Sequence, residues 1–248
     1  MKTILTVFFL SFSCLFFNKS DFKSTKKENL VKITPISHAT AVIEYNNETI
    51  YIDPTGGAKA FQKFKTPDYI VITDVHGDHM NMKTLNQLDL SETQIIAPKA
   101  VADKLQNLSS EKIIIINNGE TKKLKNFSIE AIPMYNLREE ALKFHRKGRG
   151  NGYVFTINKE RIYFSGDTED IPEMRNLKKI DKAFICMNLP YTMTVENAAS
   201  AVLEFKPKKV YPYHYRGTNG FSDVKKFKEI VTNKSRKIEV IQLDWYSN

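Results

Sequence analysis

Cysteine is nearly absent from this chain: 248 residues contain two, Cys14 and Cys186. Cys14 lies in an N-terminal apolar run, so once that run is cleaved or carries a lipid, Cys186 stands alone and an intramolecular disulfide is excluded. The neighbours of Cys186, Ala183-Phe184-Ile185 and Met187, mark it as a small buried hydrophobe and not a nucleophile. No helix-turn-helix, zinc-finger or RNA-recognition signature accompanies the formal charge of +9, and the 37 Lys and Arg are scattered. A nucleic-acid partner is therefore not expected. No short-period repeat is present, which excludes a solenoid. Histidine is scarce too, at five residues, which makes their placement informative.

What the chain does have is 42% hydrophobic content over a length suited to one α/β domain. Residues 1–22 read as a signal peptide or lipoprotein signal, with Lys2 ahead of an apolar run over 4–17 that is too short for the about 20 residues of a membrane span. Residues 23–30 read as a polar linker, and 31–248 as the folded domain. Export to the periplasm or outside the cell follows, with a membrane attached only through a lipid on Cys14.

From Val31 the pattern is a meander of short strands, with Asn46-Asn47 as a hairpin turn ahead of Ile52-Asp53-Pro54. The apolar run 69–73 is a strand buried on both faces that delivers Asp74 to the next loop. Helices are predicted over 82–90, 98–105, 195–205 and 223–232, with Thr194 capping the third and Pro98 at the first position of the second. Strands are predicted over 94–97, 112–116, 152–157, 161–165, 183–187, 209–212 and 238–241, with a further pair within 123–133. Two β-rich halves, each followed by helices, suggest a four-layer αββα sandwich.

Asp74-Val75-His76-Gly77-Asp78-His79 places four metal-ligating side chains within six residues, directly after a buried strand. Imidazole suits zinc, manganese or iron, and carboxylates add hard oxygen donors, so the loop can hold one or two divalent ions. Here the chain resembles the metallo-β-lactamase superfamily, whose loop reads His-x-His-x-Asp-His. His76, Asp78 and His79 match it, and Asp74 stands where the family has its first His. His38-Ala39 followed by Ile52-Asp53-Pro54 is similar to the ascorbate-6-phosphate lactonase-like branch. Ser165-Gly166-Asp167-Thr168 looks like the segment whose Asp bridges two metals, and Tyr213-His214-Tyr215 like the one that supplies the last His.

The resemblance implies a metal-dependent hydrolase, with zinc expected first and manganese or iron as alternatives. Asp74, His76, Asp78, His79, Asp167 and His214 would be the metal ligands. Asp78 and His145 would act in catalysis, with His38, Asn136 and Tyr191 at the substrate pocket. A divalent ion with an open position lowers the pKa of its water towards about 7, which suits hydrolysis of an ester, lactone, phosphoester or amide in a small or lipid-like substrate. Asn136 stands where the family has a further His, and His145 either reaches back to the site, lines the pocket or lies exposed. Lys143, Arg146, Lys147 and Arg149 around it form an anion-recognising cluster or a solvated basic loop. Asp74 is either an oxygen ligand, favouring manganese or iron, or the mark of a first site that stays empty. A non-catalytic metal-binding protein is the reading from another class.

Overall fold

The computed structural model describes residues 30–105 and 112–247. The predicted signal and most of the linker lie outside them. Among the described residues, no helix is long and apolar enough to cross a membrane.

The first sheet is built in chain order from β1 (Lys32–Ser37), β2 (Thr40–Tyr45), β3 (Glu48–Ile52), β4 (Tyr69–Val71), β5 (Gln94–Ala97) and β6 (Lys112–Ile115). β1 to β3 pair antiparallel and β3 to β6 parallel. Asn46 and Asn47 turn β2 into β3 with φ of 47° and 66°, the left-handed pair that Asn tolerates in a two-residue hairpin. The second sheet repeats this plan. β7 (Thr121–Lys123), β8 (Phe127–Met134), β9 (Gly150–Ile157) and β10 (Glu160–Phe164) are antiparallel, and β11 (Lys182–Ile185), β12 (Lys209–Pro212) and β15 (Glu239–Val240) continue from β10 in parallel. A small ribbon of β13 (Arg216–Gly217) and β14 (Gly220–Phe221) lies between β12 and β15 in the chain.

Side-chain alternation assigns the layers. On β4, Ile70 joins the outer cluster with Leu85, Leu90 and Val101, whereas Tyr69 and Val71 face the core between the sheets. Phe164, Phe184 and Tyr211 are in register on β10, β11 and β12 and stack at 4.2 and 4.6 Å between centroids. Outside the second sheet lie α4 (Val195–Phe205) and α5 (Val224–Lys234). α4 buries Val195, Ala198, Ala199, Ala201, Val202 and Phe205, a spacing of three and four that turns one face inward. Thr194 caps it, accepting from the Asn197 N–H at 3.1 Å. The four-layer sandwich is therefore as expected.

Two predicted helices are shorter than expected. α1 is Met82–Leu85 and α2 is Lys99–Ala102, with α3 (Pro172–Arg175) of equal length. Beyond α1, Asp89 accepts from both the Ser91 N–H and hydroxyl, a local bond that competes with helix continuation. Pro98 is the cap of α2 and not its first helical residue. The strand expected to reach Pro54 ends at Ile52, because Asp53 turns to φ 44°.

The C-terminal ends of β3, β4, β8, β10, β11 and β12 open on one side. There the start of β9 docks against the end of β4: the Asn151 N–H donates to Thr73 O at 2.9 Å. Gly150 permits this approach, since a Cβ there would lie 2.9 Å from Thr73 O and 3.2 Å from Asp74 Oδ1.

Candidate metal centre

His79 is fully buried, and its Nδ1 lies 2.8 Å from Asp53 Oδ2 and 2.9 Å from Thr73 Oγ1. Asp53 also accepts the Thr73 N–H at 2.8 Å and the Thr73 hydroxyl at 2.6 Å. The Thr73 proton is thereby committed to the carboxylate, so the His79 Nδ1 proton goes to Asp53 as well, and Nε2 is the nitrogen turned to the site. That Nε2 is 3.2 Å from His214 Nε2 and 3.3 Å from Asp167 Oδ2, while His214 Nε2 is 3.2 Å from Asp167 Oδ1 and 3.4 Å from Asp78 Oδ2.

These separations test whether a metal fits. Ligand bonds of about 2.0–2.1 Å in a tetrahedral shell put neighbouring donors about 3.3 Å apart. His145 Nε2 and Asp167 Oδ1 are buried with no hydrogen-bond partner among the described residues, a costly arrangement unless a cation satisfies them. The donor set therefore fits a divalent ion. Burial alone would push the His79 imidazole down, yet Asp167 and Asp53 outweigh it and hold it well above its usual range. Burial would likewise raise Asp167, but the neighbouring His214 and His79 hold it well below the usual carboxylate range. A proton and a metal ion are thus alternative partners for the same nitrogen.

His38 is tied to the exposed member of the loop. Tyr246 Oη accepts the N–H groups of Tyr215 and Arg216, both at 3.1 Å, so its single proton goes to His38 Nδ1 at 2.7 Å. Nε2 of His38 then carries the ring proton and faces Asp78 Oδ2 at 3.4 Å. Against the upward push of burial, His214 and His38 hold the Asp78 carboxyl far below its usual range. His38, Asp53 and His214 are all in left-handed backbone, at φ 55°, 44° and 46°. For non-glycine residues this costs of order 1–3 kcal/mol each, and it clusters here on groups that aim at one point.

His145 does reach back to the site. Its Nδ1 donates to Tyr191 O at 3.1 Å, and its Nε2 lies 3.2 Å from Asp167 Oδ2 and 4.0 Å from Asp74 Oδ2. Asn136 does not line the pocket. Its amide donates to Tyr191 O at 2.7 Å and to Ala141 O at 2.9 Å, holding the carbonyl that orients His145. Tyr191, Phe144 and Asn188 wall a cavity of about 350 Å³ with His76, Asp78, His145 and Asp167.

Asp74, also fully buried, accepts from Arg149 Nε at 3.1 Å and from its terminal nitrogen at 2.9 Å. His76 Nδ1 lies 2.7 Å from Asp74 Oδ2. Of the basic residues around His145, Arg149 turns inward to Asp74, Lys147 pairs with Glu173 at 2.8 Å, and Lys143 lies 5.1 Å over the Phe144 ring. Cys186 is buried and free, as its neighbours predicted.

The ten residues expected at the site lie together in space, but His38 and Asn136, expected to line the substrate pocket, do not: they hydrogen-bond or pair with the groups that do. Sequence reasoning assigned no role to Asp53, Thr73 or Tyr246. Asp53 had a signal, an isolated acid at the end of an apolar strand. Tyr246, more than 200 positions from its partner His38, had none.

Fold and site together define a metal-dependent hydrolase built as two stacked sheets with a His and Asp centre at one edge. Residues 32–214 match the beta-lactamase superfamily domain, and the chain belongs to that family. It is 31% identical over 226 residues to a UPF0173 metal-dependent hydrolase of Pyrococcus horikoshii, covering 84% of this chain and 96% of the relative. A solved structure from Parabacteroides distasonis, assigned as a metal-dependent hydrolase, is 39% identical with a TM-score of 0.76, covering 86% of this chain and 92% of that one. A metallo hydrolase from Ignicoccus hospitalis shares the fold at 22% identity and a TM-score of 0.71, over 86% of this chain and 94% of that one.

Proposed function

We propose that this metal-dependent hydrolase cleaves an ester, lactone, phosphoester or amide bond in a small substrate that carries an apolar group, with zinc as its ion. The observation that carries the reading is the convergence of His79 Nε2, His214 Nε2 and Asp167 at 3.2–3.3 Å in a buried position. Two imidazoles and a carboxylate at these separations suit zinc. When bound, the ion supplies Lewis acidity that polarises a carbonyl or phosphoryl oxygen and acidifies water.

The chain's own residues account for the rest. Asp78, exposed at the cavity and kept ionised, is placed to orient water by accepting its hydrogen bond at a carboxylate oxygen. His38 holds Asp78 in place, and Tyr246 fixes the ring proton that does so. Phe144 and Tyr191, edge to face at 5.1 Å, give the cavity an aromatic wall. Leu137, Leu142 and Leu189, each more than 40% exposed, lie on the loops that carry Phe144, His145 and Tyr191, and Phe221, exposed on β14, packs beside Tyr246 at 4.8 Å, which supports an apolar moiety on the substrate. The apolar run over 4–17 supports export as the setting.

The test is turnover of metal-depleted protein reloaded with zinc, manganese or iron on a panel of lactones, carboxylic esters, phosphodiesters and amides. One bond class is expected to turn over, and His79→Ala to lose both its metal and that activity. Undiminished metal content in His79→Ala would refute the proposed centre.

A further inference from the structure

We propose that the centre holds a single metal ion, because the guanidinium of Arg149 takes the place of a cation at the neighbouring Asp74, His76 and His145 group. This rests on the metal-dependent reading above and concerns how many ions the loop accepts.

By distance alone, Asp74, His76 and His145 could hold an ion, since their donor atoms all lie within 4.8 Å of one another. What distinguishes this group from the His79, Asp167 and His214 group is that its carboxylate is already paired with a cationic side chain of the chain itself. Both Asp74 oxygens accept from Arg149, at 3.1 and 2.9 Å, in the two-pronged geometry that makes Arg–carboxylate pairs strong. His76 Nδ1 sits 2.7 Å from Asp74 Oδ2 and its Nε2 sits 3.4 Å from the same guanidinium, so both ring nitrogens face the pair. Arg149 is further fixed by donating to the Phe144 carbonyl. Gly150 lets the chain pass close enough for this reach, because any side chain there would crowd Thr73 O and Asp74. His145 Nε2, the third donor, is turned towards the other group, 3.2 Å from Asp167 Oδ2 against 4.0 Å from Asp74 Oδ2.

The charges agree. Asp74 is fully buried and needs one compensating positive charge, which Arg149 supplies through permanently protonated nitrogens. A dication entering beside the guanidinium would meet like charge in a poorly solvated space. At the other group, His79, His214 and Asp167 have no Arg or Lys among their ion-pair partners within the described residues. The Asp that replaces the family's first His is on this view half of an ion pair, and not an oxygen ligand.

The experiment counts ions. Full-length protein is equilibrated with excess zinc, freed of unbound metal and measured by elemental analysis, and anomalous scattering at the zinc edge locates the ion in crystals. Wild type is expected to hold one zinc per chain, between His79 and His214, with Arg149 still on Asp74. Arg149→Met is expected to rise to two, the second on Asp74 and His145. Since a buried unpaired Asp74 can prevent folding, Asp74→Asn with Arg149→Met is the companion, expected to stay at one. Two ions in wild type, or one in folded Arg149→Met, would overturn the proposal and leave the hydrolase reading standing. No zinc at His79 and His214 in wild type would overturn both.

Discussion

Replacing Asp53 by Asn tests whether the buried carboxylate sets the metal-facing nitrogen of His79. In the native site Asp53 accepts three hydrogen bonds, from the Thr73 N–H, the Thr73 hydroxyl and His79 Nδ1, at 2.6–2.8 Å. Asn retains an acceptor for the Thr73 N–H but presents an NH₂ group to His79 Nδ1. The ring must then accept at Nδ1 and carry its proton on Nε2, the nitrogen 3.2 Å from His214. Losing such an orienting partner costs about 10- to 100-fold in metal affinity, roughly 1.4–2.8 kcal/mol. The same change disturbs a fully buried network, at about 1–3 kcal/mol of stability, or a fall of roughly 2–12 °C in Tm for a domain of this size. The assay is zinc competition against a chromophoric chelator, run beside thermal unfolding of the metal-free protein. A lowered Tm with zinc affinity within about twofold of wild type would refute the reasoning, because Asp53 would then support the fold without orienting His79.

Metal-free protein should lose stability on acidification. Asp74 and Asp167 are both held below their ordinary value of 3.8, against the upward push of burial, by His76 and Arg149 in one case and His214 and His79 in the other. Their contribution is complete above that ordinary value and is lost as pH falls through it towards the depressed folded values, so urea midpoints should drop between about pH 5 and pH 3, and flat midpoints there would contradict the pairing. Burial pushes the Cys186 thiol up to about 11, so in a Cys14→Ser background the native protein should resist alkylation at pH 8 and react fully once unfolded; rapid native labelling would place the thiol at the surface.

Much of the site was legible because its chemistry is local in sequence. Asp74, His76, Asp78 and His79 follow one strand and are nominated by donor spacing on one loop, whereas Asp167 and His214, each after another strand, are nominated by their likeness to the family's segments. His145 and Asn136 were harder, since a histidine well past the end of a strand can point anywhere. The Tyr191 carbonyl decides it, by holding both side chains. The first short helix was overestimated because Asp89 and Ser91 make their own turn beyond it.

Residue order and hydrophobic period by themselves determined two β-rich halves, their stacking into four layers and a loop that gathers four candidate donors, because alternation on strands and donor spacing on a single loop are short-range properties. Which donors are free to bind was decided only by tertiary structure. Arg149 reaches Asp74 across 75 positions, and Tyr246 reaches His38 across 208. Hydrogen-bond geometry between such distant segments determines which nitrogen carries a proton and which carboxylate is already paired, and no local pattern encodes it.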